Sequence, residues 1–176
     1  MSPAPRPDMS LVPYPRKGLY LALTVPLLLI MAAVAVYLGT INLLLPAALV
    51  LFYLLTSLFQ AYCCAYQECP YVGGFCPAVI GIMPASLLAR WLYDSEQLVK
   101  SKTKFDRHVA LALCSWIGLV LLPLYWLAEL GLGVAIGYVL LHVVYTLVFW
   151  LTICPVCAIR EICPGGKLHR TLRSGR

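Results

Sequence analysis

The sequence predicts an all-α integral membrane protein, in which four transmembrane helices form two repeated hairpins with cysteine-rich cytoplasmic exits. Three observations predict this fold: an apolar composition, four apolar runs of bilayer length, and basic residues confined to one side. Of the 176 residues, 62% are apolar and 11% are charged, whereas soluble domains average about 45–50% and about 25%. This composition excludes a soluble domain, a disordered chain and a small secreted disulfide scaffold.

The apolar runs have the length that a membrane requires, which is roughly 17–25 residues for about 30 Å of hydrocarbon. Three residues separate the first run from the second and two separate the third from the fourth, so each of these pairs is expected to form a tight antiparallel hairpin. The first run is longer than the apolar stretch of a signal peptide, and we expect it to remain uncleaved. The predicted spans are Gly18–Gly39, Leu43–Ala61, Val109–Leu130 and Gly133–Ile153.

The 13 Lys and Arg residues all lie in the three segments on one side of these spans. The positive-inside bias therefore predicts that both termini are cytoplasmic. The net charge of +6 then describes membrane topology and contact with lipid headgroups, and we expect no nucleic-acid partner. The basic residues are Arg6, Arg16, Lys17, Arg90, Lys100, Lys102, Lys104, Arg107, Arg160, Lys167, Arg170, Arg173 and Arg176.

The remaining segments complete the predicted organisation of the chain. Within the connector, residues 78–93 are too short for a span and are expected to form an interfacial or re-entrant segment against the cysteine region. The predicted units are a flexible Pro-rich tail (1–17), the first hairpin with its cysteine exit (18–76), an interfacial and basic connector (77–108), the second hairpin with its exit (109–164) and a basic tail (165–176).

An internal repeat links the ends of the two hairpins. Cys64-Ala65 aligns with Cys157-Ala158, Cys69-Pro70 aligns with Cys163-Pro164, and a Gly-Gly pair follows each. Parallel repeats predict a four-helix bundle with a pseudo-two-fold axis, which would bring both exits to the same depth. Cys114, inside the third span, is expected to be a packing residue. Seven cysteines would then converge, namely Cys63, Cys64, Cys69, Cys76, Cys154, Cys157 and Cys163.

Converging thiols on a cytoplasmic face favour metal ligation, because that compartment disfavours stable disulfides. Cys154 and Cys157 have the C-x-x-C spacing that lets two sulfurs reach one centre, and nearby basic residues are expected to lower the thiol pKa values. Sulfur-rich ligation indicates an iron–sulfur cluster or zinc. The preferred ligand set is Cys64 or Cys63 with Cys69, Cys157 and Cys163, while Cys76 and Cys154 are substitutes or members of a second site. S-palmitoylation at Cys63 and Cys64 and unmodified thiols are the other interpretations.

The paired Cys-Pro exits are similar to the membrane anchors of ferredoxin-type proteins that pass electrons to periplasmic nitrate or nitrous-oxide reductases. The resemblance would place Cys64, Cys69, Cys157 and Cys163 in the paired motifs of that family, with spacings that differ by one and two residues. It covers the two exits, and the soluble ferredoxin extension is absent from this sequence. The resemblance implies an electron-transfer role.

Two histidines are further candidates for ligand binding. His142 lies near the middle of the fourth span, where an imidazole is costly without a partner. We expect a hydrogen bond to Tyr125 or Tyr138, and a haem or quinone contact would make His142 a cofactor-binding residue instead. His169, near Cys163, is an alternative zinc ligand.

These features favour an electron-transfer or accessory subunit of a membrane complex, with an iron–sulfur cluster at the cysteines. Its partners would be other subunits or a second copy of the chain. One alternative is a structural protein in which zinc holds the two hairpins together. A further alternative is a membrane oxidoreductase in which Cys154 and Cys157 exchange disulfides.

Overall fold

The computed structural model describes residues 14–72, 75, 84–92, 101–157 and 160–161. It is all α-helical in these residues, apart from turns and one short 3₁₀ segment. Four helical stretches are long and apolar enough to cross a membrane, which confirms the predicted fold class. The helices are α1 (Lys17–Ile41), α2 (Leu44–Tyr66), α3 (Pro84–Leu92), α4 (Lys102–Leu121), α5 (Leu124–Leu130) and α6 (Leu132–Thr152), and the 3₁₀ segment is Cys154–Val156.

The four spans form a ring in which α1 contacts α2 and α6, α2 contacts α4, and α5 contacts α6. Contacts near both ends of α1 hold it against the second hairpin, with the start of α1 beside the end of α6 and the end of α1 beside α5. The Arg16 guanidinium donates to the Thr152 carbonyl over 2.5 Å, and the Tyr37 hydroxyl donates to the Trp126 carbonyl over 3.2 Å. Because α2 is also antiparallel to α1, α2 and α6 both finish at the same end of the bundle, which we call the cysteine end.

The third span differs from the prediction because α4 and α5 meet at a proline. Pro123 has no N–H to donate to the carbonyl four residues earlier, so the helical hydrogen bonding is interrupted between Leu121 and Leu124. The break does not remove the span, since residues 102–130 together remain long and apolar enough to cross the bilayer. A proline of this kind is tolerated when neighbouring helices pack around it.

The two hairpin turns use different chemistry. Between α1 and α2, the side-chain oxygen of Asn42 accepts from the Leu44 N–H over 2.9 Å, which satisfies one of the unpaired donors at the start of α2. Between α5 and α6, Gly131 adopts φ 148°, and its carbonyl accepts from the Val134 N–H over 2.9 Å. This backbone conformation is one that only glycine adopts readily.

Helices α2 and α4 approach each other closely at a glycine. A Cβ atom added to Gly118 would lie 2.7 Å from Cε1 of Phe52, so the absent side chain makes room for the Phe52 ring. Toward the cysteine end, the Tyr62 ring stacks on the His108 imidazole with centroids 4.0 Å apart. The Tyr66 ring stacks on Phe105 at 4.7 Å. A small residue that accommodates the Phe52 ring and two ring-stacking contacts therefore fix α2 against α4.

Helix α3 begins at Pro84. Proline is favoured at the first helical position because its missing N–H would have no partner there. The helix packs on α2 through a face of small buried residues, Ala85, Ser86 and Ala89, and the Ser86 hydroxyl donates to the Tyr71 carbonyl over 2.7 Å. Residues 84–92 thus lie against the cysteine region, as predicted, while the first part of the predicted segment lies outside the described residues.

The Gly131 turn gives a direct test of this architecture. Replacing Gly131 with Ala should lower the free energy of unfolding by about 1–3 kcal/mol, because a Cβ is strained at that φ. Thermal unfolding in detergent micelles, followed by circular dichroism, would measure the loss. Gly133→Ala is the matched control, since a Cβ there meets nothing within 4 Å, and it should leave the stability unchanged or raise it. Equal stability of the two variants would contradict the turn.

Candidate functional site at the cysteine end

The end of α2 brings two cysteine side chains together by a helix-capping motif. The Cys69 N–H donates to the Cys64 carbonyl over 3.0 Å, and the Glu68 N–H donates to the Ala65 carbonyl over 3.2 Å. These two bonds, with Glu68 at φ 50°, define a Schellman motif. In that motif the residues at the Cys64 and Cys69 positions commonly touch, and here their side chains form a hydrogen bond. The four-residue spacing between Cys64 and Cys69, with Pro70 after it, is therefore the spacing that a Schellman motif at the end of a helix requires.

The contact between Cys64 and Cys69 affects the pKa of the Cys69 thiol. The hydrogen bond with Cys64 and then burial raise the pKa of the Cys69 thiol above its ordinary value. The thiol is 2% exposed, so water does little to stabilise a thiolate. This is the opposite of the lowered thiol pKa predicted from nearby basic residues. The prediction was wrong at Cys69 because burial and the neighbouring sulfur outweigh charges in solvent.

The end of α6 brings the second pair together in a different way. Pro155 cannot continue the α-helix, and residues 154–156 form a 3₁₀ turn instead. The Cys157 N–H donates to the Cys154 carbonyl over 3.2 Å, which closes the C-x-x-C turn. Cys157 has an extended backbone, whereas its repeat counterpart Cys64 is helical. The repeat in the sequence therefore does not produce two identical helix endings, because only the second copy has a proline before its aligned cysteine.

Tyr14 connects the two endings. Its hydroxyl donates to the Ile153 carbonyl over 2.8 Å, and its ring packs edge-on against Tyr71 with centroids 5.6 Å apart. Burial, followed by the nearby Cys157, raises the pKa of the Tyr14 phenol. The phenol is thus protonated at neutral pH and acts as a hydrogen-bond donor. No feature of the sequence identified Tyr14, which lies in the segment predicted to be a flexible tail.

One apolar cluster contains sulfurs from both halves of the chain. Cys69 and Cys154 are buried in it, and Cys64 and Cys157 pack against it with Phe75. Within the described ranges, no group of three or more His, Cys, Asp or Glu side chains could hold a metal ion. Cys76 and Cys163 lie outside the described residues, as does His169. The structure therefore brings four of the seven predicted cysteines into one cluster, and the complete ligand set stays a prediction.

The other two cysteines of the described chain have different surroundings. Cys63 is half-buried on α2, one residue from the Schellman pair. Cys114 is exposed on α4, so the expectation that it packs inside the bundle was wrong. Helix α4 is apolar on its outer face as well as its inner face, and hydrophobicity alone did not reveal which side faces the other helices.

His142 is buried near the middle of α6, with 2% of its surface exposed. Its Nδ1 lies 2.9 Å from the main-chain oxygen of Tyr138. Tyr138 is thus one of the two predicted partners of His142. The bond is made by the main-chain oxygen of Tyr138 and not by its phenol. Tyr125 is 67% exposed on α5 and is not the partner. His142 therefore lies well inside the bundle, far along α6 from the cysteine end.

Comparisons of the chain with protein-family models, with curated proteins and with solved structures gave no match. The similarity of the exits to ferredoxin-type membrane anchors consequently stays a prediction.

The Tyr14 contact provides a test of how the cysteine end is held. Tyr14→Phe removes the donor to a buried carbonyl, and we expect the free energy of unfolding to fall by about 1–3 kcal/mol. Thermal unfolding in micelles measures this change. Tyr125→Phe is the control because its phenol is largely exposed, and it should have little effect. An unchanged stability for Tyr14→Phe would show that Tyr14 does not join α1 to the end of α6.

Proposed function

We propose that the cysteine end binds a metal centre through cysteine sulfurs, and that the chain serves as an electron-transfer or accessory subunit of a membrane complex. The observation that carries the proposal is the position of Cys64, Cys69, Cys154 and Cys157 in one apolar cluster. These residues come from opposite halves of the sequence and reach the same end of the bundle through two different turns. Buried cysteine is commonly an ordinary packing residue, and a metal centre would explain why four cysteines from distant segments occur at one end of the bundle.

The donor set determines which metals fit. The described residues supply two cysteine pairs, Cys64 with Cys69 and Cys154 with Cys157, and no three of these four side chains form a group that could hold a metal ion. Cys76 and Cys163 follow these pairs closely in the sequence and would supply the further ligands. All-thiolate ligation suits an iron–sulfur cluster or zinc. When bound, an iron–sulfur cluster supplies one-electron transfer.

The surroundings of the sulfurs favour the iron–sulfur alternative. Tyr14, Tyr71 and Phe75 contribute rings to the same cluster, and an apolar, water-poor environment is one of the means by which proteins set a cluster potential. The Tyr14 hydroxyl donates to the Ile153 carbonyl, so it holds the end of α6 in place beside the cysteines. Zinc at the same cysteines would instead make the chain a structural subunit that joins the two hairpins.

A thiol–disulfide function is the second candidate, and the hydrogen-bonded Cys64 and Cys69 side chains favour it. Oxidation would join two sulfurs and release two electrons and two protons to an oxidised partner dithiol. The raised pKa of the Cys69 thiol opposes rapid exchange, since the thiolate is the attacking species. Cys154 and Cys157 would form the alternative dithiol.

We further propose that the cysteine end faces the cytoplasm. The exposed cations of the described chain lie at this end, on the start of α1, on α3, on the start of α4 and after α6, whereas Glu129 is at the opposite end. Basic residues at one end of a bundle are retained on the cytoplasmic side and contact anionic headgroups. Partner subunits or a second copy would dock on the lipid-facing surface.

Metal analysis of the anaerobically purified chain tests the first proposal. We expect stoichiometric iron with visible charge-transfer absorption, and we expect Cys64→Ala or Cys157→Ala to weaken metal binding by at least about 100-fold. Cys114→Ala is the matched control, since that thiol is exposed on α4. Colourless protein with stoichiometric zinc would support the structural alternative. Folded protein without either metal would contradict the proposal, and redox cycling of its thiols would then favour the dithiol function.

Thiol labelling tests the orientation separately. Leu132→Cys lies at the far end and is 70% exposed, so a membrane-impermeant maleimide should label it in intact cells. Thr103→Cys, exposed at the cysteine end, should be labelled only after the membrane is opened. The reverse pattern would place the cysteine end outside. Both substitutions leave the charge of the chain unchanged, which preserves the signal that sets topology.

A further inference from the structure

Two polar side chains on adjacent turns of α6 face the interior of the bundle at the level of the bilayer centre. Tyr138 and His142 are 5% and 2% exposed, and their ring centroids are 4.4 Å apart. His142 is about 15 Å along the axis from either end of the helix, at 1.5 Å per residue. Polar groups at such a depth are costly and usually mark a functional site.

The hydrogen bond at Nδ1 fixes which nitrogen of His142 carries the proton. The main-chain oxygen of Tyr138, 2.9 Å from Nδ1, can only accept, so Nδ1 must donate. A neutral imidazole then presents a lone pair at Nε2. Nε2 is buried and has no hydrogen-bond partner among the described protein atoms. The same arrangement, with one nitrogen donating to a carbonyl, orients histidines whose other nitrogen binds a ligand.

The Tyr138 hydroxyl is the second group without a protein partner. Its oxygen is buried and receives no hydrogen bond within the described part of the chain. The phenol of Tyr145, two turns further along the same helix, differs in this respect because its hydroxyl lies 3.1 Å from the Thr24 hydroxyl. Helix α1 therefore provides a hydrogen-bond partner for Tyr145 of α6, whereas the Tyr138 hydroxyl and Nε2 of His142 have none among the described residues.

The neighbouring side chains are apolar. Tyr138 packs in a cluster with Val34, Leu38 and Leu127. The Thr24–Tyr145 and Tyr20–Phe149 contacts set the antiparallel register of α1 and α6, and continuing this register places Leu27 opposite His142 and Met31 opposite Tyr138. Such surroundings penalise a charged ligand, and they favour a neutral group that can make two hydrogen bonds.

We propose that His142 and Tyr138 bind one neutral hydroxyl group at the centre of the bundle, which donates to Nε2 of the imidazole and bonds the Tyr138 phenol. Two sources carry this chemistry. The first is a buried water molecule, and the second is the ring hydroxyl of a lipid-soluble quinol. The site does not depend on the proposed metal centre, because it lies in the middle of α6 and uses none of the cysteines.

Stability measurements on the full chain in lipid nanodiscs give the first test. If a hydroxyl joins the two side chains, Tyr138→Phe and His142→Leu should each lower the unfolding temperature by several degrees. If nothing binds there, removing an unsatisfied polar group should leave that temperature unchanged or raise it. The second result would overturn the proposal.

Nitrogen-15 NMR of the histidine-labelled protein in quinone-free lipid identifies the source of the hydroxyl. The His142 resonances are assigned by their loss in His142→Leu. A cross-peak from Nε2 to water protons supports the water arm. Added decylubiquinol should instead shift Nε2 saturably in the quinol arm, and Tyr138→Phe should then weaken binding about fivefold to tenfold.

Tyr37→Phe is the control for both arms, because that phenol already donates to the Trp126 carbonyl. It should leave the His142 signals and the quinol affinity unchanged. A proton found on Nε2, or an Nε2 that contacts neither water nor quinol, would overturn the proposal. These measurements use protein without added metal, so failure of the metal proposal would not affect them.

Discussion

Hydrocarbon provides no hydrogen-bond partners, and each amide in a membrane span must find its partner within the chain. In this bundle, several polar side chains within the helices also form their hydrogen bonds with the main chain of the same helix. The hydroxyls of Thr56, Thr146 and Thr152 each donate to the carbonyl four residues earlier, over 2.8, 2.7 and 2.6 Å. His142 does the same with Nδ1. Its second nitrogen is what distinguishes it from the threonines, because the local helix cannot satisfy it.

This constraint also explains where the sulfur chemistry lies. Irregular backbone, with exposed carbonyls and sharp turns, is tolerated where helices leave the hydrocarbon, and Cys64, Cys69, Cys154 and Cys157 occur at such helix ends. At the end of α2, a Schellman motif places Cys69 against Cys64. At the end of α6, Pro155 imposes a 3₁₀ turn that brings Cys157 back toward Cys154. Two ways of ending a helix therefore bring together Cys64 with Cys69 and Cys154 with Cys157, and Tyr14 contacts residues next to both pairs.

The helix interfaces α2–α4 and α1–α6, called seams here, are held together by different kinds of contact. The α2–α4 seam is fixed by the absent side chain of Gly118 and by stacking of Tyr62 on His108. The α1–α6 seam contains hydrogen-bonding side chains at several levels, including the Thr24–Tyr145 pair. Close packing of rings and a glycine joins α2 to α4, whereas α1 and α6 have polar groups between them inside the membrane. A ligand that bound in the bundle would accordingly bind along the second seam.

The sequence by itself determined the spans, the two hairpins and the concentration of basic residues at one end. The first predicted span, residues 18–39, differs from α1 by one residue at its start and two at its end. The second ends five residues early, before the turn that carries Cys63 and Cys64. Hydrophobicity, length and charge are local properties of a chain, which is why they could be predicted without coordinates.

Only the tertiary structure decided which faces and which atoms meet. It placed Cys114 on the outside, gave His142 a main-chain partner, and raised the pKa of Cys69 through a neighbouring sulfur. It also brought Tyr14 from a tail into the cysteine cluster. Lipid is as apolar as a protein core, so the composition of a transmembrane helix does not reveal its inner face. Packing of the four spans selects that face, and with it the set of side chains available for chemistry.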